Sequence, residues 1–322
     1  MTNPVLVELT RGDLVESVHR GSVAVADADG RIVFALGDLD VPVYPRSSLK
    51  PIQALPLIES GAADAFGLGD EEIALACASH SGEPMHTTRV AAWLTRIGCV
   101  ESDLACGAHP SRYEPVAEAM IRAGEKPTRI FNNCSGKHTG FLTVARHWDI
   151  ATQGYEQVGH PVQQAIAQTL SELSGVSGPF PYGIDGCAAP NFAVPLGAQA
   201  KAFAKLTASR GARVVRAMTA HPELVSGTGR TCAILLRSTG GRAAVKTGAE
   251  GFFAGIVPEL GLGIALKIDD GAGRAADAVM AAMLAKYGLL GQDEAAQKIL
   301  RAPITNTVGE VCGERRVTAQ LT

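Results

Sequence analysis

The pattern that most limits how this chain can fold is strand-like sequence at both ends around a helix-like middle. Val5, Val7 and Leu9 alternate with polar or small residues, as do Val23 and Val25, and Asp29-Gly30 then turns the chain into Ile32, Phe34 and Leu36. An Asp-Gly pair between alternating runs is a strong hairpin signal, because both turn residues tolerate positive φ. Helical spacing takes over from about residue 60. Val90, Trp93, Leu94 and Ile97 share one face, and residues 116–121 and 162–173 repeat the period. Between these segments lie CASHSGE, CGAHPS, FNNCSGKHTG and YGIDGCAAPN, small and polar stretches that read as loops. After residue 230, TCAILLRS, RAAVKTG and GIALKID read as strands, a helix is expected over about 275–287, and a strand-like tail closes the chain. This order implies an α+β fold with one antiparallel sheet layer built from about residues 1–60 and 230–322. A helical part from about 60–230 is inserted, all within a single catalytic domain spanning 1–322.

Composition narrows the function. Apolar residues make up 46% and charged ones 19%, so the chain can bury a substantial core. A net charge of −3 and the lack of a basic run argue against nucleic acid or an anionic membrane as partner. No apolar run approaches the ~18 residues that span a bilayer. Seven scattered cysteines, with no signal-like segment after Met1, lead us to expect reduced thiols in a cytoplasmic protein.

The chemistry centres on YPRSSLKPIQALPLIES, which begins at Tyr44. On a helix Ser47 and Lys50 lie one turn apart on one face, whereas Ser48 projects about 100° away. Pro56 interrupts the Ile52, Leu55, Ile58 spacing, so the helix is expected to be kinked or short. A lysine with an unperturbed pKa near ~10.4 is no base at neutral pH unless burial and a second cation disfavour its charged form. Lys246 in AAVKTGAEG offers that cation, and Ser-x-x-Lys acyl-transfer enzymes carry such a Lys-Thr-Gly strand late in the chain. Ser79 in ACASHSGE supplies the middle element. It or Ser81 equally reads as a helix cap, with Glu83 solvated and His80 structural or solvated. Arg46 suits a substrate carboxylate or a surface salt bridge. Cys134-x-x-Lys137 with a distant Cys187 does not read as a metal site from spacing, since lysine must lose its proton to bind one. Cys77, Cys99, Cys106, Cys232 and Cys312 read as small buried side chains.

RSSLKP, ALACASHSGE, NNCSGKH, GIDGC and VKTGAEG together resemble the rhizobial-type L-asparaginases, which are built on the serine β-lactamase and penicillin-binding-protein type of fold. The likeness runs from RGDLVESVHRG through HPELVSGTGRTC to GIALKIDDG. It implies that Ser47 is the nucleophile, Lys50 its base, and Ser79 and Lys246 a second Ser–Lys pair. It implies zinc on Cys134, Lys137 and Cys187, an Asp185 that anchors the substrate's α-amino group, and a homodimer. His138, next to Lys137, either contacts substrate or faces another way. The activity implied is hydrolysis of L-asparagine to L-aspartate and ammonia through an acyl-enzyme, with no organic cofactor. The same chemistry on glutamine or a β-lactam, and a non-catalytic metal or thiol sensor, are the alternatives.

Overall fold

The structure, a computed structural model, describes residues 2–321. The chain forms two compact units, Met1–Ser48 with Ala193–Ser209 and Ile234–Thr322, and Leu49–Phe192 with Arg210–Ala233. Among the described residues no helix is long and apolar enough to cross a membrane.

The first unit is organised by an eight-stranded antiparallel sheet. Its order is Ala302–Thr305, Val311–Val317, Val5–Arg11, Leu14–Asp27, Leu262–Ile268, Phe252–Val257 and Ala244–Thr247, with Ile32–Leu36 also paired to Leu14–Asp27. The expected hairpin is present: Ala26 faces Ile32, Gly30 has φ +83°, and the Asp27 amide donates to the Arg31 carbonyl at 2.9 Å. Both chain ends enter the sheet, Val7 opposite Val317. The strand Leu14–Asp27 loses its alternation in its second half, where residues 21–26 are all buried. Helices cover both faces there. Leu196–Lys205 packs on Gly263, where a Cβ would lie 2.1 Å from the Ala204 nitrogen, so only glycine admits the helix. Gly273–Lys286 packs on the opposite face, with the Met280 methyl beside Gly255. A strand buried on both faces reads as a continuous run rather than an alternating one.

The second unit is helical and is built round Ser135–His147, whose residues from Ser135 to Ala145 are all buried. Gly136 brings this helix against Asp70–Ala76, since a Cβ there would lie 2.4 Å from the Leu75 carbonyl oxygen. Trp93, from Pro84–Arg96, donates its indole N–H to Thr143 at 3.0 Å.

Several expectations need correction. TCAILLRS is a helix, Thr231–Ser238, in which Cys232, Ala233, Leu235 and Leu236 are buried while Arg237 is exposed. A short apolar run does not distinguish strand from buried helix. SGKHTG is not loop but the first turns of the central helix, its small residues serving close helix contact. Glu294–Leu300 is an unexpected helix, capped by the Asp293 carboxylate accepting from the Ala296 amide at 2.9 Å. Cys312 is only half-buried and accepts from the Arg11 guanidinium at 3.2 Å. The Pro56 interruption is real: Lys50–Gln53 and Leu55–Glu59 are separate segments.

Candidate active site

Arg46–Leu49 forms a 3-10 turn, entered through a left-handed Arg46 at φ +51°. Ser47 is half-buried, whereas Ser48 is fully buried and donates to the Lys246 carbonyl at 2.7 Å. That contact fastens the turn to the end of Ala244–Thr247. A Cβ on Gly248 would lie 2.5 Å from the Pro45 carbonyl oxygen, which explains the glycine of Lys-Thr-Gly. Lys246 is buried and donates to the Thr247 carbonyl at 2.8 Å.

In the second unit, Lys50 is 1% exposed and its Nζ lies within hydrogen-bond reach of Ser79 Oγ at 2.9 Å, of Cys134 Sγ at 3.1 Å and of the Ala78 carbonyl. The Ser79 loop is held on both sides, Ser79 N–H donating to the Val225 carbonyl at 2.9 Å and His80 N–H to the Asn133 carbonyl at 3.1 Å.

Lys137 donates to Cys187 Sγ at 2.9 Å, and the Cys134 thiol is hydrogen-bonded to Cys187. The bond from Cys134 and the charge of Lys137 pull Cys187 towards the thiolate, while that bond and burial push the Cys134 thiol up. Two sulfurs and one amine thus converge, and the two sulfurs are donors of the kind zinc takes. Lys137 is held above the usual amine value, burial being outweighed by the charges of Cys187 and Cys134, so it would have to lose a proton to join them. Among the described residues no group of three His, Cys, Asp or Glu side chains is placed to hold a metal. Cys187 sits in the turn joining Tyr182–Ile184 to Pro190–Phe192, with Asp185 two residues before it and Ala188 left-handed at φ +72°. Non-glycine residues at positive φ flank the Ser47 turn, the Cys187 turn and, at Glu250, the Lys-Thr-Gly strand, the kind of strain that collects at functional sites. His138 is fully buried; its Nδ1 lies 2.7 Å from the Tyr155 hydroxyl and its Nε2 has no partner.

Two residues read as bland in the sequence are built into this site. Glu83 is buried rather than solvated. It accepts from Ser81 Oγ at 2.5 Å and from the Thr228 amide and hydroxyl at 2.9 and 2.7 Å. Burial pushes its carboxyl up, and these hydrogen bonds outweigh that and hold it below the usual value. His80 is buried, accepts at Nδ1 from the Gly82 amide, and so donates from Nε2 to Ser135 Oγ at 2.9 Å. It stacks on His86, ring centroids 4.9 Å apart, and His86 accepts from the Glu83 amide and donates to the Glu223 carbonyl. Both rings need to be neutral for these bonds.

Burial lowers His86 from 6.5 to about 4, against the charge of Glu83, and burial above all holds His80 well below its usual value. As pH falls from 6.5 towards 4, the unfolded chain binds protons that the folded protein refuses, so stability falls across that window and is unaffected above it. His86 accounts for about 3 kcal/mol of that fall once the window is crossed. Denaturant midpoints between pH 7 and 4 should therefore drop less steeply in His86→Gln than in the wild type. Parallel slopes would remove the assignment.

The L-asparaginase II family profile matches residues 7–317, and the chain belongs to that family. Membership of the family makes amidohydrolase chemistry the class of activity that fits the site. No curated protein sequence matches this chain. Among solved structures, Mglu in its native form shares 13% identity over 85% of this chain with a TM-score of 0.49, and the chain spans 66% of its length. A β-lactamase from Mycobacterium bovis shares 15% identity, covering 83% of this chain and 94% of that one, with a TM-score of 0.36. Unliganded simvastatin synthase from Aspergillus terreus shares 9% identity, over 80% of this chain and 90% of that one, with a TM-score of 0.33.

Proposed function

We propose that the protein is an L-asparaginase in which Ser47, deprotonated by Lys50, attacks the side-chain amide of asparagine. The observation that carries this reading is the buried Lys50 amine, three residues after Ser47 and with its Nζ 2.9 Å from Ser79 Oγ; as a base it acts in its neutral form. Ser47 lies in the turn Arg46–Leu49 and Lys50 opens the helix that follows it, three residues on, a spacing that suits proton transfer from Ser47 to Lys50. Ser79, with Lys246 as its second lysine, then relays a proton to the departing ammonia. Water hydrolyses the acyl-enzyme to L-aspartate and regenerates Ser47. Asp185 receives the α-amino group, and His138 Nε2 is a buried polar atom left for a bound ligand. A cytoplasmic homodimer, expected from the sequence and its resemblance, completes the proposal. Ammonia release from asparagine, compared with glutamine and with acylation by penicillin, tests it. Turnover of glutamine or acylation by penicillin without asparagine turnover would reassign the substrate.

Cys134, Lys137 and Cys187 would hold zinc, and a bound zinc would order the turn that carries Asp185. Chelation, or Cys187→Ala, should therefore raise KM for asparagine several-fold with a smaller change in kcat, because a binding loop ordered in advance lowers the entropic cost of binding. A fall in kcat at unchanged KM would move the metal into the chemical step. A drop in melting temperature alone would leave it structural.

A further inference from the structure

We propose that Arg112 and Arg230 form a carboxylate clamp beside the Ser79 loop and take the α-carboxylate of the amino-acid substrate. The inference rests on the reading above and extends it to the group that reading leaves without a dedicated partner.

The two arginines come from separate loops of the second unit, and both loops are pinned to Ser81–Glu83. The Arg112 amide donates to the Ser81 carbonyl at 2.7 Å, and Ser111 Oγ donates to the same oxygen at 2.8 Å. On the other side, Thr228 holds the Glu83 carboxylate through amide and hydroxyl, and the Gly227 backbone abuts the Ser81 side chain. The Arg230 amide closes that turn on the Gly227 carbonyl at 3.3 Å. Two cations are thereby held by the segment that begins at Ser79.

Neither guanidinium is matched. Other arginines of this unit sit on carboxylates, Arg89 on Glu71, Arg213 on Asp64 and Arg216 on Asp70. Among the described residues the guanidiniums of Arg112 and Arg230 have no carboxylate and no hydrogen-bond acceptor. Arg46, by contrast, is already engaged within the protein. Arg112 is exposed and Arg230 half-buried, and partial desolvation together with the Arg230 charge pulls Arg112 below the usual guanidinium value. Its charge also reaches Cys134 and His80. Like charges held close and unpaired are unfavourable until an anion lies between them. A guanidinium fork matches the two oxygens of a carboxylate, and two forks can grip one such group. Asparagine has one carboxylate, at the end away from its reacting amide.

The test compares wild type with Arg112→Met, Arg230→Met and the double variant. With asparagine, each single variant should raise KM roughly 10- to 100-fold, the loss of one charge-assisted hydrogen bond, with kcat within about threefold. Arg112→Lys should recover part of the loss. The inhibition constant of β-alaninamide, which keeps amine and amide but lacks the carboxylate, should change less than about twofold if the clamp acts on that group alone. A double variant whose asparagine KM stays at the wild-type value, or which loses asparagine and β-alaninamide equally, overturns the clamp. L-Aspartate binding, followed by calorimetry, separates this proposal from the functional reading. If wild type binds L-aspartate, the double variant does not, and neither turns over asparagine, the clamp stands and the asparaginase reading fails. If wild type binds neither amino acid, both fail.

Discussion

Ser47→Ala will leave a folded protein that releases no measurable ammonia from asparagine, a loss on the order of 10⁴ or more in kcat, the scale of removing a serine nucleophile. Ser48→Ala is the informative control. Its hydroxyl is buried on the Lys246 carbonyl, so the substitution should lower stability by about 1–2 kcal/mol and leave turnover measurable. Circular dichroism and ammonia release on both variants decide the matter. An active Ser47→Ala beside an inactive Ser48→Ala would transfer the nucleophile to the other serine and undo the proposed pairing with Lys50.

Gly227→Ala should be the most damaging small substitution in the second unit. Gly227 has φ +122°, and a Cβ there would lie 2.0 Å from Ser81 Oγ and 2.9 Å from Glu83 Oε1. Ser81 cannot swing away without losing its hydrogen bond to Glu83. Backbone strain and the broken Ser81–Glu83–Thr228 network together should cost about 3 kcal/mol or more. Activity should fall with stability, because the same network holds the Ser79 loop. Gly229→Ala, at φ +69° with nothing within 4 Å of its Cβ, meets only backbone strain and should cost about 1 kcal/mol. Urea midpoints for the two variants measure the difference. Equal losses would show that Ser81 yields.

The signals that were legible in the sequence are those carried by local geometry. The Asp29-Gly30 hairpin, the helices at Pro84–Arg96 and Pro161–Ser174, and the break at Pro56 all follow from residues adjacent in the chain. What was not legible depends on contacts between distant residues. Gly136 reads as a loop former until Leu75 is seen against it. The helix Leu196–Lys205 lies in the middle of the sequence and yet covers the sheet, because Gly263, more than 50 residues later, leaves room for it. Of the candidate site residues, Ser47, Lys50, Ser79 and Lys246 stand out by their motifs. Glu83 and His80 do not, since each acts through a partner in another segment. A glutamate directly before Pro84 did carry a signal, that of a helix start, and the Glu83 carbonyl does accept from the Thr87 amide there.

The pairing of Val7 with Val317 has a consequence for how the protein is made. On the ribosome, Val5–Arg11 emerges long before Val311–Val317, the strand it pairs with on its outer side. Until then it has only Leu14–Asp27 for company, with an open edge able to pair with another chain. Residues 49–192 can meanwhile reach most of their own partners as they appear, since domains fold as units during synthesis. Strands made far apart in time are therefore neighbours in the sheet. A polypeptide stopped short of Val311 would hold a largely assembled helical unit beside a sheet that is permanently one edge short, a species suited to aggregation or to a chaperone.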